Sequence, residues 1–281
     1  MMGEEELKTS ILSQEWYELA DGYDVAFLGE QNRIPHPELR NDLKEDIAHL
    51  FSGGYVLDYT HFSIVMRKSR RLAFYAAVNI DGKQQKNIRR EKDSWYFDAR
   101  LNRDYQVGPD LYRNNDIDRG HLVRRRDPVW GNRAKEANED TFHFTNCVPQ
   151  HKDLNQRTWL ELEDYILNNA IVHQLKVTVF TGPIFKGNDK WYRGIQLPEE
   201  FWKIVVMVKK DGLLSATAYL QTQKDFIGKL QFSYGSYGTY QVAVSHIEYL
   251  TGLDFGVLRD ADPLAGSMST YVIETGDDIY L

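Results

Sequence analysis

The chain has 281 residues, 42% of them hydrophobic and 27% charged, with only 8 prolines, the composition of an ordinary globular protein able to bury a full core. No run approaches the ~18 to 20 apolar residues of a membrane span, and the acidic start MMGEEELKTS lacks the basic and apolar segments of a signal peptide. The single cysteine, Cys147, excludes an intrachain disulfide, and the expectation is a cytoplasmic protein, or a mature chain whose leader has been removed.

The net charge of −7 speaks against a nucleic-acid partner only until the charge is placed along the chain. Residues 67–133 carry 17 Lys and Arg against 9 Asp and Glu, whereas residues 1–66 carry 4 against 13. A field that draws phosphate depends on such local clustering and not on the total.

No repeat, low-complexity tract or Gly/Ser linker interrupts the sequence. One domain is therefore expected over residues 56–281, with residues 1–55 as an extension packed on it. Residues 11–50 read as helix or loop, broken at Ile34-Pro35-His36-Pro37. Val56–Met66 has the content of a β-strand, with His61 inside it, and the apolar stretch 70–82 predicts a buried strand ending in a turn at Asp81-Gly82. Thr141–Cys147 also reads as a strand. A helix follows from about Leu154 to Asn169, with Trp159 as a core anchor.

Leu175–Phe180 predicts a central strand closed by Gly182-Pro183. Phe201–Val208 and Leu213–Leu220 flank Lys209-Lys210-Asp211-Gly212, a hairpin pattern. The stretch FSYGSYGTY (232–240) reads as a loop packed on the core, in preference to a base-stacking platform of Tyr234, Tyr237 and Tyr240. A last helix is expected from about Gln241 to Leu250, stopped at Gly252, with His246 facing its neighbours. Strands and helices do not alternate regularly. The expected class is α+β, with a mixed or antiparallel central sheet flanked by helices.

Chemistry concentrates in residues 116–131, DIDRGHLVRRRDPVWG. Gly120 lets the backbone approach a neighbour closely, His121 can accept a proton near neutral pH, and Arg119 offers a forked donor matched to phosphate oxygens. Arg124, Arg125 and Arg126 thicken the positive charge. A second segment, residues 144–164, leads through Pro149 into a helix that opens near Asp153. On that helix Asn155 and Glu163 are separated by roughly 80° around the axis and about 12 Å along it, so both cannot bind one ion directly. Asn155 is then the better direct ligand, and the longer Glu163 is suited to holding a metal-bound water.

Asp118-Arg119-Gly120-His121, followed by Thr145-Asn146, Pro149-Gln150, Asn155-Gln156, Trp159 and Leu162-Glu163, resembles the DNA/RNA non-specific endonuclease family, which takes in endonuclease G-like and sugar-non-specific nucleases. The likeness extends upstream to Arg71 and downstream through Thr181-Gly182-Pro183 to Ile247-Glu248 and Thr251–Phe255. It implies a ββα-metal (His-Me finger) core with His121 as general base and Asn155 as the only protein ligand of a single Mg²⁺ or Mn²⁺. Arg71 and Arg119 would contact phosphate with Arg124 beside them, Glu163 would order the metal's water, and Asp118 would be structural. The implied substrates are DNA and RNA, cut with little sequence preference to 5′-phosphate and 3′-hydroxyl ends. A homodimer is one expectation for the quaternary state.

Two rivals are weighed beside this reading. His143, Cys147 and His151 recur every four residues, a zinc-like spacing, but Pro149 breaks any helix that would align them. A nuclease fold that only grips nucleic acid or a protein partner is the other, and the presence of both His121 and Asn155 argues against it.

Overall fold

Ten strands and three helices carry the argument in this computed structural model, which describes residues 10–12, 14–90, 94–152, 158–223, 239–273 and 278–279. The strands are β1 (Val56–Tyr59), β2 (Phe62–Arg67), β3 (Leu72–Asp81), β4 (Ile117–His121), β5 (Cys147–His151), β6 (Lys176–Ile184), β7 (Glu200–Val208), β8 (Leu214–Thr222), β9 (Thr239–Val242) and β10 (Tyr271–Ile273). The helices are α1 (Ala134–Asp140), α2 (Thr158–Val172) and α3 (Val244–Thr251). Eight strands form one antiparallel sheet in the order β10-β9-β8-β7-β6-β3-β2-β1. The class is α+β, and the sheet is antiparallel throughout.

A side-chain period of two divides each central strand between two cores. On β7, Phe201 and Val205 pack with Leu162, Ile166 and Leu167 of α2, together with Leu122, Val123 and Val148 around β4 and β5. Trp202, Ile204 and Val206 point the other way, to Val244 and Ile247 of α3 and to Tyr23, Phe27 and Ile34 of the N-terminal segment. Removing such side chains from water stabilises the fold by ~1.5 to 3 kcal/mol each. The first face positions the site, and the second is scaffold.

The β7–β8 hairpin forms as expected, with Val208 opposite Leu214 and the Lys209 N–H donating to the Leu213 carbonyl. Several boundaries differ from expectation. Gly182-Pro183 does not close β6, which runs on to Ile184. Pairing with β3 ends at Ala76 opposite Thr181, so the N–H that Pro183 lacks costs no bond on that side. Gly182 is there for contact: a Cβ would lie 2.5 Å from the Phe74 carbonyl oxygen.

Gln241 belongs to β9, paired with Tyr219 on one side and Tyr271 on the other, and α3 starts only at Val244, whose N–H donates to the Asp262 carboxylate at 2.7 Å. The helix stops at Gly252 as expected, with φ of 71°, and His246 on it is exposed. Thr141–Cys147 is not a strand; a 3-10 turn at Phe144–Asn146 precedes β5. His61 occupies the turn between β1 and β2 with φ of 68° and stacks on Trp130 at 3.5 Å. Tyr240 is a strand residue of β9, whereas Tyr234, Tyr237 and the rest of 224–238 lie outside the described residues, as does the side chain of Trp159.

Candidate active site

Strands β4 and β5 form a two-stranded sheet of their own among the described residues, placing Asp118 opposite Gln150, Arg119 opposite Pro149 and His121 opposite Cys147. With α2 following, the arrangement is two strands and a helix on one face of the sheet. Strand alternation aims Arg119 and His121 to the same side. Both meet Trp95: the Arg119 guanidinium carbon is 5.2 Å from its ring and the His121 ring is 5.0 Å away. Phe142 stands edge-on to His121 at 5.4 Å. His121 is therefore held between rings, half-buried as a whole residue but with its Nε2 buried.

Gly120 is dictated by the opposite side of the ribbon. The fully buried Gln150 side chain lies across it, and a Cβ at position 120 would come 2.0 Å from Gln150 Oε1. Buried polar side chains tie the rest of the ribbon down. Asn146 Oδ1 accepts the Val123 N–H at 2.9 Å, while its Nδ2 donates to the carbonyls of Val123 at 2.9 Å and Thr141 at 3.0 Å. The chain leaving His121 is thus fixed within two residues. Gln223 accepts the His151 N–H at 2.7 Å and donates to the Pro149 carbonyl at 3.1 Å.

A second group forms where α2 meets β7. Arg124 Nε lies 3.7 Å from Glu163 Oε2, and its Nη2 donates to Asp164. Glu163 Oε1 is 3.2 Å from Nζ of Lys203, an ammonium only 1% exposed. Asp127 is buried beside them, and that burial pushes its carboxyl up to about 7, against the pull of Arg124. Arg71 stands apart at the start of β3 with φ of 60°, its Nη2 donating to the Gln106 carbonyl at 3.0 Å. The structure thus brings Arg119 to His121 and Arg124 to Glu163. Asn155 lies outside the described residues.

Lys203, Asp127 and Trp95 were not singled out from the sequence. Lys203 had a signal, a lone charge in the apolar run FWKIVVMV (201–208); Trp95 had none. The zinc-like spacing of His143, Cys147 and His151 has another explanation. His143 is wholly buried, with Nδ1 against the Asp140 carbonyl at 2.8 Å and Nε2 against the Tyr17 hydroxyl at 2.8 Å. Among the described residues no group of three or more His, Cys, Asp or Glu side chains is placed to hold a metal.

The profile of the family described as DNA/RNA non-specific endonuclease matches residues 41–261, which include the ribbon, α2 and the sheet from β1 to β9. The chain belongs to that family. Similar family proteins include the nuclease of a Nostoc species, 28% identical over 72% of this chain and 73% of its own length. The nuclease of Serratia marcescens is 26% identical over 57% of this chain and 60% of its own length. The uncharacterized protein y4fB of Sinorhizobium fredii is 36% identical across 94% of this chain, which spans only 43% of that longer protein. In fold, the chain is similar to a crystal structure of an EndoG/EndoGI complex, with a TM-score of 0.56 at 19% identity, covering 73% of this chain and 87% of that one.

Proposed function

We propose that this chain is a metal-dependent endonuclease that hydrolyses DNA and RNA phosphodiester bonds with little sequence preference, leaving 5′-phosphate and 3′-hydroxyl ends. The observation that carries the reading is the ribbon in which Arg119 and His121, one strand step apart on the same side, converge on Trp95. A phosphodiester repels hydroxide, so hydrolysis needs its charge countered and a nucleophile made in place.

In this reading His121 takes a proton from the attacking water, an effect typically worth ~10² to 10⁴ in rate. Arg119 grips a phosphate oxygen through its fork, whereas Arg124 is held by Glu163 and Asp164 and Arg71 stands apart. The ring cage of Trp95 and Phe142 limits the orientations open to the imidazole, which favours an aligned attack. Because in this reading the contacts fall on phosphate and not on base edges, tolerance of sequence and strong salt sensitivity follow.

A hard divalent ion held mainly by water needs few protein ligands. The buried Glu163 carboxylate is engaged by Lys203 and Arg124, which suits it to holding a metal-bound water and not the ion itself. Asn155 would hold one Mg²⁺ or Mn²⁺, with Glu163 ordering its water shell. When bound, the ion supplies positive charge at the phosphate and at the departing 3′ oxygen. Incubating the chain with plasmid DNA and with structured RNA, with Mg²⁺ and then with EDTA, tests the proposal. Cleavage of both substrates that EDTA stops is expected; intact substrate in every lane would leave only a binding module.

A further inference from the structure

Two guanidinium groups share one backbone carbonyl. Arg71 Nη2 donates to the Gln106 oxygen at 3.0 Å, and Arg103 Nη1 donates to the same oxygen at 2.8 Å. Neighbouring arginines of this region are each neutralised by a carboxylate. Arg67 is on Asp46 at 2.6 Å, Arg70 on Asp189 at 3.0 Å and Arg100 on Asp98 at 2.7 Å. Among the described residues, Arg71 and Arg103 form no such pair. Their like charges face each other across one carbonyl, an arrangement that costs free energy unless an anion answers it.

Three further features point to a ligand. Arg71 Nε is buried and, among the described residues, has no acceptor. Arg103 lies over the Phe97 ring, its guanidinium carbon 3.4 Å from the centroid, which fixes the plane of the fork. That placement depends on glycine at 108, where a Cβ would come 2.7 Å from both Arg103 Nη2 and the Phe97 ring. Burial and the Arg71 charge both make the Arg103 guanidinium less basic, against the milder pull of Asp104 and Asp110.

The pair is also joined to the ribbon through a run of ring contacts. Phe97 stacks on Phe144 at 4.5 Å, Phe144 lies 5.8 Å from Trp95, and Trp95 lies 5.0 Å from His121. We infer that Arg103 and Arg71 form a phosphate-binding subsite for the nucleic-acid strand, Arg103 gripping a backbone phosphate away from the one that is cut. The inference rests on the nuclease reading above and deepens it. Bidentate guanidinium–phosphate contact suits the ring-supported fork of Arg103, and it carries no base preference.

Binding of a fluorescein-labelled single-stranded oligodeoxynucleotide, measured by anisotropy in EDTA across about 50 to 200 mM NaCl, tests this apart from turnover. R103Q should reduce the slope of log Kd against log salt by about 0.7, which corresponds to roughly fivefold weaker binding near 0.1 M salt. R103K, which keeps the charge and loses the fork, should restore most of that slope. If R103Q binds with wild-type slope and affinity, the Arg103 subsite is wrong. If R103Q melts below the wild type, R103K decides: a slope as low as that of R103Q overturns the inference. A wild-type chain that neither binds the oligonucleotide at any salt nor cleaves it with Mg²⁺ removes the nuclease reading itself, so the two failures are distinguishable.

Discussion

The eight-stranded sheet and the β4–β5 ribbon are both antiparallel, yet different forces hold them. The sheet is fixed by apolar side chains on two faces, among them Trp202, Ile204, Phe201 and Phe180, all essentially inaccessible to solvent. Packing of that kind spreads its contribution over many weak contacts and tolerates changes that conserve volume. The ribbon is fixed by a few buried polar groups, Asn146, Gln150 and Gln223, each answering named backbone atoms or filling the space over Gly120. Bonds of that kind are directional and fail one at a time. A fold that must tolerate drift and a site that must hold an imidazole in place are thus built from different materials.

His121→Ala breaks the comparison most sharply, because it should abolish function while sparing both materials. Cleavage is expected to fall by ~10² to 10⁴ or more, with the thermal unfolding midpoint close to wild type. Initial rates on plasmid DNA beside a circular dichroism melt check it. Near-normal turnover would remove His121 from the role of base.

Asn146→Ala strikes the ribbon's material directly. It leaves the Val123 N–H and the Val123 and Thr141 carbonyls without the partners they have now, at about 1 to 3 kcal/mol for each buried group left unsatisfied. A loss of about 3 kcal/mol or more in urea unfolding is expected, with turnover lowered by up to ~10² as the chain after His121 loosens. Ile204→Val, on the scaffold face of the sheet, is the matched control: about 0.5 to 1.5 kcal/mol and no change in turnover. If the two substitutions proved equivalent in both measurements, the contrast between sheet and ribbon would be empty.

The same contrast explains what could be read from residues alone. The sheet announced itself through alternation, and the β7–β8 hairpin through Lys209-Lys210-Asp211-Gly212, since both signals are local. Arg119 and His121 were legible as neighbours in one motif. The errors fell where a local signal was overridden from a distance. Gly182-Pro183 reads as a stop, but Phe74 and Trp202 require a small residue inside the strand. Gln241 fits a helix pattern, but β8 and β10 claim it on both sides. Lys203 meets Glu163 only because β7 and α2 share a face, Asp127 reaches them from the turn after β4, and no spacing in the sequence reports either. The grip of Arg71 and Arg103 on one carbonyl, 32 positions apart in the chain, is equally invisible before folding.

Asp127 refines the comparison on the smallest scale, because it is a polar group whose burial opposes folding instead of supporting it. Its carboxyl ionises near its ordinary value of 3.8 when unfolded but only at about 7 when folded. The folded chain therefore holds a proton that the unfolded chain has released between those values. That contribution to stability is full below 3.8 and is lost as the pH rises through about 7. Asp127→Asn removes the titration, so the variant should gain on the wild type as the pH is raised from 5 to 8 in urea unfolding, and the two curves should draw together toward pH 4. A wild-type stability that climbs across that window more steeply than the variant's would mean that Arg124 and Lys203 fully compensate the buried charge. In that case Asp127 would join Asn146 and Gln150 among the groups that hold the site together.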